Sequence, residues 1–128
     1  MKTILIVDDS ATIRRMVIAS LHSLRGLSFA EAGSGLEAME RLAQGPADAM
    51  ILDMSMPDMH GLEVIRLVRQ QPTSSSLPIL VLTTRDDEDS QADACNVGAT
   101  LYMTKPFEPV ALAAAVRGLL EESKDERA

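Results

Sequence analysis

Five short segments, at residues 3–7, 28–32, 48–52, 78–82 and 100–104, all but the second of them largely apolar, alternate along the chain with segments whose apolar residues recur at helical spacing. Short runs rich in Ile, Leu and Val read as strands. The helical stripes are Ile13, Met16, Val17 and Leu21; Leu36, Met39 and Leu42; Leu62, Ile65 and Val68; Ala92, Cys95 and Val97; and Leu112, Val116, Leu119 and Leu120. Strands joined through helices run parallel, and right-handed crossovers put the helices on both faces of one sheet. The expected fold class is therefore α/β, a doubly wound (βα)5 sheet of five parallel strands in the order 2-1-3-4-5, in three α/β/α layers. Runs 3–7 and 78–82 are almost wholly apolar, as strands covered on both faces should be, whereas Ser28 and Glu31 mark 28–32 as an edge. Gly35, Gly45-Pro46, Pro57 to Gly61, Pro72 to Ser76 and Gly98 punctuate the junctions.

A length of 128 residues with 46% hydrophobic content suits one domain with its own core. The expected organisation is one unit over residues 1–123 and a short polar tail over 124–128, with no output domain. Twelve basic against nineteen acidic residues give a net charge of -7, which argues against nucleic acid or anionic membrane as a partner. The apolar runs are too short to cross a bilayer and no secretory leader pattern opens the chain, so a cytoplasmic location is expected. Cys95, the only cysteine, excludes an intrachain disulfide and reads as a half-buried helix residue rather than a redox centre.

Four of the runs end on residues suited to phosphoryl chemistry: Asp8 and Asp9, then Asp53, Thr83 and Lys105. In the expected order the carboxyl ends of strands 1 and 3 are neighbours, and the connections diverge there, so these groups share one crevice. Three clustered carboxylates either raise a pKa or hold a cation, and Mg2+ is the hard, oxygen-seeking ion that such a set suits. Lys105 supplies the opposite charge, and a turn at its bond to Pro106 could orient the ammonium. Thr83 adds a hydroxyl that can donate to a phosphoryl oxygen. The parts suit an in-line transfer in which a carboxylate attacks phosphorus. Plainer duties stay open for some of them: Asp9 or Ser10 as cap of the helix beginning near Ala11, Thr83 as a strand former, Tyr102 as an ordinary strand aromatic. His22 and His60 lack partners at metal-ligand spacing, and the eight Met residues read as core filling.

The segments VDDSATIRR at 7–15, ILDMSMPDMHG at 51–61, VLTT at 81–84 and GATLYMTKPF at 98–107 together resemble the receiver domains of two-component response regulators, particularly the free-standing CheY-like type. That family shares a flavodoxin-like sheet with the strand order given above, so the order is not an independent deduction. The resemblance implies that Asp53 is the phosphoacceptor. It implies that Asp9, Asp53 and the backbone carbonyl of Ser55 ligate Mg2+ directly and Asp8 through a water. Lys105 would contact the phosphoryl group, with Thr83 and Tyr102 as the switch pair. The donor would be a histidine kinase or phosphotransfer protein. The output would be a phosphorylation-dependent protein target on the face built from the fourth helix, fifth strand and fifth helix, and the chain would be a signalling protein rather than an enzyme with a separate substrate. A monomer is expected, with a phosphorylation-dependent dimer as the alternative.

Ser55 and Arg85 stand two residues after the acceptor and the switch threonine, where the chemotaxis protein carries an amide and a carboxylate. Neither activates water well, so both are candidates for tuning the lifetime of the phosphoryl group, with Arg85 shielding it. The acidic stretch Asp86 to Asp89 reads equally as a solvated helix start and as a lure for a basic partner segment. A receiver taken from a larger regulator or hybrid kinase, or a phosphate shuttle, would look much the same, and motility control is one of several pathways. A phosphatase of the haloacid dehalogenase kind would need a carboxylate where Ser10 stands. A flavin carrier would need a phosphate loop after strand 1 and aromatics beside the ring, and the chain has no Trp.

Overall fold

A computed structural model describes residues 1–84 and 88–127, with side chains throughout that span except at 88–91 and 122–127. Five strands and five helices alternate: β1 Lys2–Val7, α1 Ala11–Leu21, β2 Leu27–Ala32, α2 Gly35–Gln44, β3 Ala49–Asp53, α3 Gly61–Gln70, β4 Ile79–Thr84, α4 Glu88–Val97, β5 Leu101–Lys105 and α5 Pro109–Arg127. All neighbouring strands are parallel and the sheet order is β2-β1-β3-β4-β5, as expected.

Successive strand side chains point to opposite faces, so each central strand feeds two cores. Leu5, Val7, Met50, Leu52, Ile79 and Val81 pack with Ala38 of α2, Val64, Ile65 and Val68 of α3 and Ala94 of α4. Ile4, Ile6, Ala49, Ile51, Leu80 and Leu82 pack on the other face with Val17 and Leu21 of α1 and Leu112, Val116 and Leu119 of α5. Burying each large side chain contributes about 1.5–3 kcal/mol before entropy is counted, so these two layers dominate the stability. In β2 only Ala32 is buried, which fits the edge position that Ser28 and Glu31 indicate.

Three expected helical stripes depart from the structure. On α4 Ala94 is buried while Ala92 and Cys95 are exposed, so the half-buried reading of Cys95 is corrected. Alanines and one cysteine carry too little apolar contrast to fix the phase of that helix. Met16 and Leu36 are 48% and 61% exposed: Val17 and Leu21 take the buried line of α1, and Gly35 and Ala38 that of α2. No helix among the described residues is long and apolar enough to cross a membrane.

Candidate functional site

β1 and β3 are hydrogen-bonded neighbours, and the chain leaves β1 for α1 on one face and β3 for α3 on the other. The switch point therefore opens where Asp8, Asp9 and Asp53 stand. One carboxylate oxygen from each lies within 4.8 Å of the others; Asp8 and Asp53 are buried and Asp9 is exposed. The Lys105 Nζ donates to Asp53 Oδ1 at 2.9 Å and to Asp8 Oδ2 at 3.2 Å, spanning 52 and 97 residues of sequence. The Lys105–Pro106 peptide is cis.

Local bonds hold each carboxylate. The Ser10 N–H donates to Asp8 Oδ1 at 2.9 Å, and the Ser55 N–H to Asp53 Oδ1 at 3.3 Å. Asp53 Oδ2 receives no protein donor among the described residues, so that oxygen is open to a cation or an electrophile. Helix α1 is capped by Ser10, whose Oγ accepts from the Ile13 N–H at 3.2 Å. This resolves the choice of cap in favour of Ser10 and leaves the Asp9 carboxylate available to the crevice. Three oxygen donors of hard character, two of them buried with one cation between them, fit a small divalent ion.

Burial pushes the Asp53 carboxyl above its ordinary value; the hydrogen bond and charge of Lys105 oppose this, and the charge of Asp8 adds to it. Burial alone would lower the Lys105 ammonium, but hydrogen bonds and charge from Asp53 and Asp8 outweigh it and raise its pKa. The pair is asymmetric because the lysine answers to two carboxylates, whereas Asp53 shares one lysine with a like-charged neighbour.

Thr83 is 2% exposed at the end of β4, its hydroxyl donating over a long 3.5 Å to the Thr84 carbonyl. In the β4–β5 register Thr83 faces Thr104, one residue before Lys105, and Val81 faces Tyr102. Tyr102 is 48% exposed and so points away from the core. Ser55 is exposed in the loop after β3. Arg85, Asp86 and Asp87 lie outside the described residues, as do the side chains of Glu88 and Asp89.

Two residues that sequence reasoning passed over also bear on the crevice. Arg14 Nη1 donates to the Asp8 carbonyl at 2.6 Å while its Nε pairs with Glu31 at 2.9 Å, tying the end of β1 to β2. Asp58 accepts from the Gly35 and Leu36 N–H groups at 3.1 and 3.2 Å. Neither has a local signal, because their partners lie elsewhere in the chain. His60 accepts from the Leu62 N–H and caps α3, a structural duty.

A family profile described as response regulator receiver domain matches residues 4–117. The response regulator MprA of Mycobacterium leprae is 42% identical over 125 residues, 98% of this chain and 54% of that protein. The chain thus spans about half the length of the curated relatives it matches. Among solved structures, the chemotaxis response regulator CheY4 of Vibrio cholerae superposes with a TM-score of 0.86 at 36% identity, covering 94% of this chain and 99% of that one. A response regulator structure from Chloroflexus aurantiacus gives 0.88 at 36% identity, covering 94% and 98%.

Proposed function

The chain belongs to the response regulator receiver domains of two-component signalling, and on that premise we propose that Asp53 accepts a phosphoryl group from a histidine kinase or phosphotransfer protein. The observation that carries this reading is the buried Asp53 carboxylate at a parallel switch point, with Lys105 at 2.9 Å and two further carboxylates beside it. An Asp53 oxygen forms a bond to phosphorus as the bond from phosphorus to the donor's imidazole nitrogen breaks; the nitrogen keeps the electron pair and takes a proton. The product is an acyl phosphate.

Asp9, Asp53 and the Ser55 carbonyl would hold Mg2+, with Asp8 acting through a water. When bound, the ion neutralises charge on the phosphoryl oxygens. Lys105 contributes the protein's own cation to those oxygens. Thr83 donates its hydroxyl to the phosphoryl group, and its movement lets Tyr102 turn inward. Leu101, Tyr102 and Val110 are exposed on β5 and at the start of α5, so the α4–β5–α5 face is where a target would read the switch. That face would serve a free-standing receiver over residues 1–123 with a short tail, and equally the receiver of a longer regulator. Pull-down with and without beryllofluoride tests which partners it recruits.

Incubation with Mg2+ and a small phosphodonor is expected to give an acid-stable, base-labile acyl phosphate on wild type and none on Asp53→Asn, since an amide is a poor nucleophile. Equal labelling of the variant would overturn the assignment. For lifetime, Ser55 and Arg85 are proposed from their sequence positions alone. If Arg85 shields the phosphate by a contact of about 1 kcal/mol, Arg85→Ala should lose label roughly fivefold faster at fixed Mg2+. An unchanged or slower decay removes Arg85 from the scheme.

A further inference from the structure

The loop that follows the acceptor runs from Met54 to His60, and it is fastened at three places. At its start the Ser55 N–H donates to Asp53 Oδ1 at 3.3 Å. At its base the Gly61 N–H donates to the Met54 carbonyl at 3.0 Å. The third fastening reaches outside the loop: the Asp58 carboxylate takes the Gly35 N–H on Oδ1 at 3.1 Å and the Leu36 N–H on Oδ2 at 3.2 Å.

These two amides open α2, whose own cap is already in place, with Ser34 Oγ accepting from the Glu37 N–H at 3.1 Å. Asp58 therefore serves different donors from the cap, and its carboxylate also complements the positive end of the helix dipole. The approach is close. A Cβ at Gly35 would stand 2.8 Å from Met59 Cβ, so a glycine at this position lets the loop and the helix start come together. The two amides hold the Asp58 carboxyl below its ordinary value, consistent with a formed clamp.

We propose that Asp58 is a positioning residue for the cation site: by clamping the β3–α3 loop to the first two amides of α2, it fixes the backbone that carries the Ser55 carbonyl and so sets the affinity for Mg2+. This rests on the reading of Ser55 as a backbone ligand. Groups that orient metal ligands typically change metal affinity by roughly 10- to 100-fold. Asp58 acts on one ligand among several and through three residues of backbone, so a loss of roughly three- to tenfold is expected. Coupling of this kind is reciprocal, so Mg2+ should also tighten the clamp at the start of α2.

The test is a Mg2+ titration of the full chain, followed by calorimetry and by the amide NMR signals of Gly35 and Leu36, for wild type, Asp58→Ala and Asp58→Asn. The Asn variant keeps one acceptor oxygen but turns an N–H2 toward a donor, so it should fall between the other two. The expected result is weaker Mg2+ binding in the order wild type, Asn, Ala, with phosphorylation of Asp53 at saturating Mg2+ within about twofold of wild type. Wild-type Gly35 and Leu36 signals should move with Mg2+ and those of the Ala variant should not. Unchanged Mg2+ affinity in both variants, even with a lowered melting temperature, would reduce Asp58 to a helix cap and overturn the proposal. A drop in saturating phosphorylation with unchanged affinity would also overturn it. Wild type that binds no Mg2+ would instead sink the reading of the crevice, and this proposal with it.

Discussion

Two glycines test whether the packing around the acceptor is as tight as the geometry says. A Cβ at Gly61 would stand 2.6 Å from Met54 Sδ, 2.9 Å from Met54 Cα and 3.3 Å from the Asp53 carbonyl oxygen. The thioether could swing aside, but Met54 is 1% exposed and its Cα is backbone, so the end of β3 must shift. Overpacking of this kind costs about 1–3 kcal/mol, offset by at most about 1 kcal/mol because alanine favours the helical backbone over glycine. Gly61→Ala should therefore lose about 1–2 kcal/mol. At Gly118, in α5, nothing lies within 4 Å of an added Cβ, so Gly118→Ala should gain about 0.5–1 kcal/mol. For a chain of 128 residues 1 kcal/mol moves the melting temperature by about 4 °C, so the two variants should separate by roughly 6–12 °C on opposite sides of wild type. Thermal and urea denaturation give the signs, and the rate of Asp53 phosphorylation at fixed Mg2+ gives the consequence: slower for Gly61→Ala, unchanged for Gly118→Ala. A Gly61→Ala protein as stable as wild type would refute the claim that this contact fixes the strand end.

Lys105→Met leaves the Asp8 and Asp53 carboxylates facing each other without their cation; discounted for the partial exposure of the lysine, metal-free stability should fall by about 1–3 kcal/mol, and Mg2+ should restore part of it in denaturation curves. A deficit untouched by Mg2+ would count against a shared cation role. Thr83→Ala should still be phosphorylated, since the nucleophile and Lys105 survive, but the phosphorylation-dependent change in the ultraviolet signal of Tyr102 should shrink; an undiminished change separates the two residues. Asp58, whose folded pKa is depressed, stabilises the fold fully above its ordinary value of 3.8 and loses that contribution as pH falls through the folded value. The stability gap between wild type and Asp58→Asn should accordingly be constant near neutrality and close below pH 3.8, and a gap that persists into strong acid would mean the carboxylate charge is not what holds α2.

The parallel sheet was legible because β1, β3 and β4 are nearly unbroken apolar runs, and because Ser28 and Glu31 expose β2 as an edge. Once the strand order is known, the crevice follows, since residues that end parallel strands must be neighbours. What the sequence hid falls into two kinds. The phase of α4 was lost because Ala92, Ala94 and Cys95 differ too little in hydrophobicity to point a face, and the core selected Ala94. The Asp58 clamp and the Arg14 brace were invisible because each joins backbone groups to a side chain from another element; a capping pattern at Ser34 is local, whereas its reinforcement by Asp58 comes from 22 residues away.

The crevice also violates the rules that build the rest of the core, and the way it does so says what the violation is for. Asp8 and Asp53 are 2% and 4% exposed, amid strands whose buried residues are otherwise apolar save Thr83. Buried like charges raise the free energy of the folded state, as the upward pull on Asp53 shows, and an apolar pair would pack there without that penalty. Lys105 removes only part of the strain, because one ammonium bridges two carboxylates and its own burial opposes the charge it carries. A further cation would relax such a site, and on the proposed reading an acyl phosphate at Asp53 would rearrange it, since the new group would carry its charge on oxygens farther out. Lys105 would then follow those oxygens, and it sits at the end of β5, three residues after Tyr102 and in register with Thr84. On the proposed reading, a change in the chemistry of that buried carboxylate would reach the exposed Tyr102 through Lys105, which lies on the same strand.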